Sequence, residues 1–185
     1  MSLSKIAKST ALAMLAAFYG TGALAADAAA SSASFTQMTQ VLRSPRCMNC
    51  HTFTEFPKQA DDRHRHQQMI MRGQDNMGSA TLKCLACHQT QNTANGQVPG
   101  APNWHLAPLS MGWEGLSDKA LCQVILDKKK NGNKDVPALV EHMTADPLVQ
   151  WAWSPGGKRS LPPLAQKEFH DAVRAWAEQG TACPK

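Results

Sequence analysis

Two five-residue stretches, Cys47-Met48-Asn49-Cys50-His51 and Cys84-Leu85-Ala86-Cys87-His88, share the pattern C-x-x-C-H, and their first cysteines are 37 residues apart. This pattern is the attachment sequence of c-type haem. Two thiols three positions apart on one helical turn can each form a thioether with one vinyl group, and the adjacent histidine then directs its imidazole at the iron. The sequence therefore predicts two covalently bound haem c groups, attached at Cys47, Cys50, Cys84 and Cys87, with His51 and His88 as the proximal iron ligands.

The two C-x-x-C pairs have two other interpretations. A thioredoxin-like redox pair requires a β-α-β setting, which this sequence lacks. A zinc site made of four cysteines is possible in principle, but it leaves the histidine after each pair unexplained. We therefore interpret both pairs as haem attachment sites.

The N-terminus has the features of a secretory signal peptide. Lys5 and Lys8 precede an apolar stretch at residues 11–19, and small residues end at Ala25, where a signal peptidase would cleave. An uncleaved membrane anchor is the alternative, but the apolar stretch is short for the roughly 20 residues that a spanning helix needs. We expect a signal peptide at residues 1–25, export to the periplasm, and no stable membrane insertion after cleavage.

The composition predicts one globular domain after the signal peptide. The chain has 185 residues, 43% of them hydrophobic and 18% charged, which is far from the composition of disordered chains. Residues 26–34 are rich in Ala and Ser and predict a flexible linker, so the dihaem domain would span residues 35–185. The formal net charge of +5 comes with no basic stripe that would indicate nucleic-acid binding.

The pattern between the motifs predicts an all-α fold with no convincing strand. Helix signals are found at residues 35–43, 61–72, 117–130, 136–143 and 164–179. Two long irregular segments, 90–115 and 148–163, are rich in Gly, Pro and Trp, and loops of this length usually wrap a ligand or are disordered. We expect a single cytochrome c-like domain whose short helices and long loops wrap around two haems.

The remaining cysteines, Cys122 and Cys183, lie outside any C-x-x-C pair. In an oxidising compartment two such residues favour a disulfide. That bond would tie the helix at residues 117–130 to the C-terminal tail. The alternative is a cysteine thiolate as an axial haem ligand, as in some sulfur-oxidising cytochromes.

Five histidines remain as possible ligands on the distal face of each iron. His66 and His64 are two residues apart and would point to different sides of a helix over residues 61–72. The helical neighbours of His66 are the more apolar, so we expect His66 to be a distal ligand and keep His64 in reserve. The fifth of these histidines, His170, is expected on the surface of the last helix.

His105 is the second distal candidate, because it lies in a stiff, proline-rich loop beside Trp104. It follows His88 by 17 residues, much as His66 follows His51 by 15. That parallel suggests that each motif is followed by its own distal ligand, although a crossed assignment stays open. His142 and Met111 are further reserve candidates. Since methionine raises the potential relative to histidine, the choice sets the redox properties of the pair.

Several later segments extend the pattern beyond the attachment motifs. They are Pro99-Gly100-Ala101-Pro102-Asn103-Trp104-His105, Met111-Gly112-Trp113-Glu114-Gly115 and Trp151-Ala152-Trp153-Ser154-Pro155-Gly156. Together with the two motifs they resemble small periplasmic dihaem c-type cytochromes that are often labelled isoquinoline 1-oxidoreductase subunits. The resemblance covers nearly all of the mature chain. It implies a periplasmic molybdenum hydroxylase as redox partner, whose electrons the cytochrome accepts.

These features together predict an electron carrier that is not itself an enzyme. The expected role is transfer of electrons between a periplasmic oxidoreductase and the respiratory chain. The rival prediction is a haem enzyme, such as a peroxidase or a sulfur-compound dehydrogenase, with one open or thiolate-bound haem. Basic residues that could pair with haem propionates are Arg43, Arg46, Arg63, Arg65, Arg72, Lys158 and Arg159.

Overall fold

A computed structural model of the chain describes residues 7–185, with side chains from residue 25 onward. The fold is mostly helical, with six α-helices in the described residues: α1 (Ala7–Leu42), α2 (Pro45–Met48), α3 (Asp118–Leu126), α4 (Val136–Ala145), α5 (Pro147–Gln150) and α6 (Gln166–Glu178). Four single-turn 3₁₀ helices lie at Gln67–Met69, Cys84–Ala86, Leu109–Met111 and Trp151–Trp153. The predicted signal peptide begins outside the described residues, and for residues 7–24 only helical backbone is described.

Two small hairpins interrupt the helical pattern, where the sequence predicts no strand. β1 (Lys58–Gln59) pairs antiparallel with β2 (His64–Arg65), and β3 (Gly78–Ser79) pairs antiparallel with β4 (Leu82–Lys83). In register, Lys58 faces Arg65 and Gly78 faces Lys83. The second hairpin leads directly into the second C-x-x-C-H motif, so it fixes where that motif begins.

The core is centred on α1 and α6. Phe35, Met38 and Val41 form a fully buried stripe along one face of α1. Trp176 of α6 is also fully buried, and its ring centre lies 5.5 Å from that of Phe35. The apolar residues of α6 face this core, since Phe169, Ala172, Val173 and Trp176 are all buried.

Residues 26–34, which the sequence predicts to be a flexible linker, are part of helix α1. Ser31 is fully buried, donates a hydrogen bond to the Trp176 carbonyl at 3.0 Å, and accepts one from the Ala182 amide at 2.9 Å. Ala has the highest helix propensity, and small side chains let the C-terminal segment approach the helix closely. This Ala-rich and Ser-rich segment is therefore helical, and Ser31 is its one buried residue, whereas residues 26–30 are exposed.

The prediction of a helix over residues 61–72 was wrong. This segment contains β2, the turn at Gln67–Met69 and extended chain. Gln68 and Met69 have positive φ values of 60° and 54°, which no α-helix can contain. The backbone amides of His66 and Arg72 donate to the carbonyls of Pro57 and Glu55, so this segment returns antiparallel along the residues that follow the first motif.

The helices predicted in the second half are present with shifted ends. α3 begins after the cap Ser117, as expected, but it ends at Leu126 and not at residue 130. The Asn131 side chain donates to the Ile125 and Lys134 carbonyls, and this turn ends the helix before the lysines. α4 begins after Asp135, whose side chain accepts from the Ala138 amide at 3.0 Å.

Cys122 and Cys183 form the predicted disulfide, which joins α3 to the C-terminal tail across 61 residues. Neither sulfur is then available as a thiolate, so these two cysteines do not supply the thiolate ligand considered above. A cross-link across a loop of this length restricts the unfolded chain.

Replacing both cysteines with serine is expected to lower the free energy of unfolding by about 2–4 kcal/mol. Denaturant unfolding under oxidising conditions measures the loss. In a reductant that opens the bond, wild type and variant should have the same stability. A difference that persists in reductant would mean that the cysteines act through packing and not through the cross-link.

Candidate functional site

The two C-x-x-C-H motifs each form one helical turn. In the first motif, the His51 amide donates to the Cys47 carbonyl at 3.0 Å. In the second, the His88 amide donates to the Cys84 carbonyl at 2.9 Å. The first turn starts in α2, which begins with Pro45 after Ser44 and ends at Met48, and the second starts with a 3₁₀ turn. Both thiols and the imidazole of each motif therefore project from one compact turn.

The His51 imidazole is held on one side by a carbonyl and a tryptophan. Its Nδ1 donates to the Met111 carbonyl at 2.8 Å. Its ring stacks on Trp113, with ring centres 3.4 Å apart and planes 13° from parallel. These contacts fix the ring orientation and leave Nε2 as the nitrogen available to bind a metal.

The His88 imidazole is held in the same way by different residues. Its Nδ1 donates to the Pro99 carbonyl at 2.7 Å. Its ring stacks on Trp104, with ring centres 4.5 Å apart and planes 5° from parallel. The two motifs thus have matching support, each with a backbone carbonyl behind the histidine and a tryptophan against its face.

The protonation states of these groups suit metal binding better than thiol redox chemistry. Burial lowers the pKa of His51 to about 3 and also lowers the pKa of His88, so both rings are neutral at pH 7. Burial raises the pKa of Cys47 to about 11 and that of Cys50 to about 12. A redox-active C-x-x-C pair needs a lowered thiol pKa, so the first motif lacks that property.

A first cavity, with about 1090 Å³ of space free of protein atoms and partly open to solvent, lies against Cys47, Cys50 and His51. Its walls are largely apolar and come from helices α1, α3, α4 and α6 and the segment around Trp151. The apolar side chains that line it include Val41, Leu42, Met111, Ile125, Leu139, Met143 and Phe169. Two further histidines, His105 and His142, also line this cavity.

A second cavity, with about 1580 Å³ of such space, lies against Cys84, Cys87 and His88. Its walls come from the hairpin β1–β2, the turn after it, and the loop at residues 97–106. His66 and His105 line it as well. Each attachment motif therefore borders its own cavity.

The two cavities lie side by side. Arg46, Cys50, Trp104, His105 and Trp151 line both of them. Trp104 and Trp151 meet edge to face, with ring centres 4.8 Å apart, and the Arg46 guanidinium lies 5.9 Å from the centre of the Trp151 ring. Single side chains form the boundary between the cavities.

His66 faces His88 across the second cavity. Their ring centres are 5.9 Å apart, with planes at 75°. Two metal–nitrogen bonds of about 2 Å, with about 1 Å more from each nitrogen to its ring centre, separate two axial imidazoles by about 6 Å. His66 Nδ1 donates to the Gln67 carbonyl at 2.6 Å, which leaves its Nε2 available. This distance therefore suits one metal ion between the two rings.

His142 and His105 both enter the first cavity. His142 Nδ1 donates to the Asp146 carboxylate at 3.0 Å, and this bond holds the pKa of Asp146 below its usual range. His105 Nδ1 donates to the Asn103 carbonyl. Either imidazole thus has an available Nε2. His142 belongs to the first cavity alone, whereas His105 lies at the boundary of the two.

His64, Met111 and His170 are less well placed to bind a metal. His64 is exposed, pairs with Asp62, and lines neither cavity. Met111 borders the first cavity, but its carbonyl lies behind His51, on the side away from Nε2. His170, which the sequence predicts to be a surface residue, is only partly exposed, and its Nε2 is bonded to Gln150 at 2.7 Å.

Most of the basic residues suggested as propionate partners have protein partners. Arg43 pairs with Asp118, and Arg63 pairs with Glu114. Arg72 is buried and donates to backbone carbonyls, among them that of Thr52 at 3.0 Å. Arg46 differs from these residues, because it lines both cavities.

Arg46 is a buried cation in the wall between the cavities. Its side chain is 1% exposed, and it forms an ion pair with Asp61, which is 44% exposed. Its Nε is buried and has no hydrogen-bond partner among the described residues. A buried donor without a partner is costly, so an acidic group in either cavity would stabilise this residue.

No three or more His, Cys, Asp or Glu side chains in the described residues converge on a point that could hold a metal ion. No described helix combines the length and apolar character that crossing a bilayer requires. The chain matches no known family model, no curated protein and no solved structure.

Sequence reasoning missed Asp146 and the stacking roles of Trp104 and Trp113. A signal for Asp146 was present, because it follows His142 by four residues and so shares its helix face. The carbonyl contacts of Met111 and Pro99 have no signal in the sequence, since any residue type can present a backbone carbonyl.

Proposed function

We propose that this chain is a periplasmic dihaem c-type cytochrome that transfers electrons between a periplasmic oxidoreductase and the respiratory chain. The observation that carries the proposal is the repeated arrangement of the two motifs. Each C-x-x-C-H turn borders its own cavity, with the histidine Nδ1 bonded to a carbonyl and Nε2 available. This arrangement is what covalent haem with a histidine ligand requires.

The residues around both cavities fit a haem. The first cavity offers apolar walls for a porphyrin, and Arg46 offers an unpaired buried Nε to a propionate from either side. Cys47 and Cys50 would hold one haem, and Cys84 and Cys87 the other. Bound haem would supply reversible one-electron chemistry between ferrous and ferric iron.

The second cavity supports His66 as the distal ligand of the haem at the second motif. His66 follows the first motif in sequence, yet its ring faces His88 of the second motif at 5.9 Å. We therefore assign His66 to the haem held by Cys84, Cys87 and His88. This assignment departs from the parallel spacing, which would pair His66 with His51.

For the first cavity we assign His142 as the distal ligand opposite His51. His142 belongs to this cavity alone, and its Nδ1 is fixed by Asp146, as expected for a ligand whose other nitrogen binds metal. His105 borders both cavities and becomes a neighbour of both haems. With two histidines for each iron, both centres would be saturated, which supports a carrier over a haem enzyme.

The partner proposal comes from the family resemblance. A periplasmic molybdenum hydroxylase would deliver electrons to one haem, and the respiratory chain would accept them from the other. Adjacent cavities support this role, because the side chains that line both of them leave a short path between the two centres.

Haem content tests the proposal directly. Expressed with its signal peptide in a host that matures c-type cytochromes, the protein should contain two covalent haems per chain by pyridine haemochrome assay. A redox titration should resolve two one-electron steps. Replacing Cys84 and Cys87 with alanine should reduce the content to one haem per chain.

The matched control replaces the other two cysteines, Cys122 and Cys183, with serine. This variant removes the same number of thiols and should keep both haems. A wild-type chain that carries no covalent haem, or that binds zinc at the motif cysteines, would refute the proposed function.

A further inference from the structure

The histidines that line the cavities differ in what holds their Nδ1 atoms. Four of them, His51, His66, His88 and His105, donate to backbone carbonyls. His142 alone among these five donates to a carboxylate, that of Asp146, at 3.0 Å. The two proposed haems would therefore have unequal surroundings at their distal ligands.

Asp146 is held firmly in place. It follows α4 and caps α5, where its Oδ1 accepts from the Leu148 amide at 2.9 Å, while Oδ2 accepts from His142. Its side chain is 33% exposed and that of His142 is 31% exposed, so the pair is partly shielded from water. Both carboxylate oxygens thus have fixed donors, and the helix junction sets the position of the pair.

An anionic acceptor at Nδ1 changes what the imidazole does at Nε2. It draws the N–H proton toward itself and makes the ring a more basic ligand. A more basic axial ligand stabilises ferric iron relative to ferrous iron, so a hydrogen bond to the outer nitrogen of an axial histidine is one of the ways in which a protein sets a haem potential. A backbone carbonyl, being neutral, has a smaller effect.

We propose that Asp146 is a positioning residue that acts through His142 to lower the reduction potential of the haem held by Cys47, Cys50 and His51. This inference rests on the proposed function and on His142 being the distal ligand in the first cavity. The haem held by Cys84, Cys87 and His88 has no such contact at His66 and is unaffected by Asp146. The haem in the first cavity would therefore tend to donate its electron to the haem in the second.

Asp146→Asn is the decisive variant, because asparagine can still accept from the Leu148 amide and so keeps the helix cap. It removes the negative charge from His142 Nδ1. In a potentiometric titration of the dihaem protein, one midpoint potential should shift to a more positive value, and the other should stay unchanged. The electron paramagnetic resonance signal of the same haem should shift with it, and Asp146→Glu should retain the wild-type values in part.

Glu141→Gln is the matched control. Glu141 is exposed, lies on α4 beside His142 and makes no hydrogen bond to the His142 ring. Its replacement by glutamine removes the same charge as Asp146→Asn. It should leave both potentials unchanged. Equal shifts in Glu141→Gln and Asp146→Asn, or equal shifts of both haems, would overturn the inference, since they would indicate a general charge effect.

Failure of this inference can be distinguished from failure of the proposed function. Pyridine haemochrome assay first counts the haems, and a chain without two haems fails at that step. If both haems are present and Asp146→Asn shifts neither potential, the inference alone is wrong. Asp146→Ser, which keeps a capping oxygen and removes the carboxylate, provides the same measurement if the asparagine variant does not fold.

Discussion

Replacing His66 with alanine is expected to convert one of the two haems from low-spin to high-spin. The His66 ring faces His88 at 5.9 Å in the second cavity, and alanine leaves that face of the iron without an imidazole. The reduced wild-type protein should not change its spectrum when carbon monoxide is added. The variant should bind carbon monoxide at one haem per chain, with a shifted Soret band.

His64→Ala is the control for this prediction, because His64 is only two residues away yet lines neither cavity. It should keep a fully low-spin spectrum and the wild-type indifference to carbon monoxide. A low-spin spectrum in His66→Ala would remove His66 as a ligand and favour His105, which also lines the second cavity. A wild-type protein that binds carbon monoxide would instead support the rival haem enzyme.

The preference for His66 over His64 shows what sequence patterns can and cannot reveal. The choice assumed a helix over residues 61–72, and the segment is a hairpin followed by a turn. His66 nevertheless lines a cavity and His64 does not. The apolar neighbours on which the choice relied do not explain this placement, because Met69 is exposed and only Ile70 of the two lines the cavity.

The spacing parallel between the two halves stays a prediction about which histidine binds which iron. It suggests that each motif is followed by its own distal ligand, whereas His66 lines the cavity that borders the second motif. The number of residues between a motif and a histidine does not decide which cavity that histidine lines. The path of the chain decides it, and here the β1–β2 hairpin returns past the first motif. That return rests on backbone hydrogen bonds, such as the one from His66 to Pro57, which side-chain patterns do not encode.

Local sequence features gave more accurate predictions where a residue type has one specific structural role. Ser117 was recognisable as a helix cap, and it accepts the expected backbone hydrogen bond from the Ala120 amide. The disulfide followed from two cysteines left over after the motifs were assigned. The low-complexity segment at residues 26–34 was misjudged, since composition alone does not distinguish an Ala-rich helix from a linker.

The part of α1 that follows this segment is the subject of the second large expected effect, which concerns stability. Phe35→Ala is expected to lower the free energy of unfolding by about 3–5 kcal/mol. Phe35 is fully buried in the interface between α1 and α6, where its ring contacts Trp176. The truncation removes the ring and leaves a cavity between two helices whose backbones are tied by Ser31 and so cannot close over it. Denaturant unfolding of the dihaem protein, followed by far-UV circular dichroism, measures the loss.

Gln37→Ala is the matched control on the same helix, because its side chain is exposed and alanine favours helix formation. Its effect should stay within about 0.5 kcal/mol. The comparison also tests whether the second half of α1 is part of the domain. If residues 35–42 were only loosely attached, Phe35→Ala and Gln37→Ala would have equally small effects. A large difference between them would instead mean that α1 from Phe35 onward is part of the folded domain and is needed to cover the core beside the first cavity.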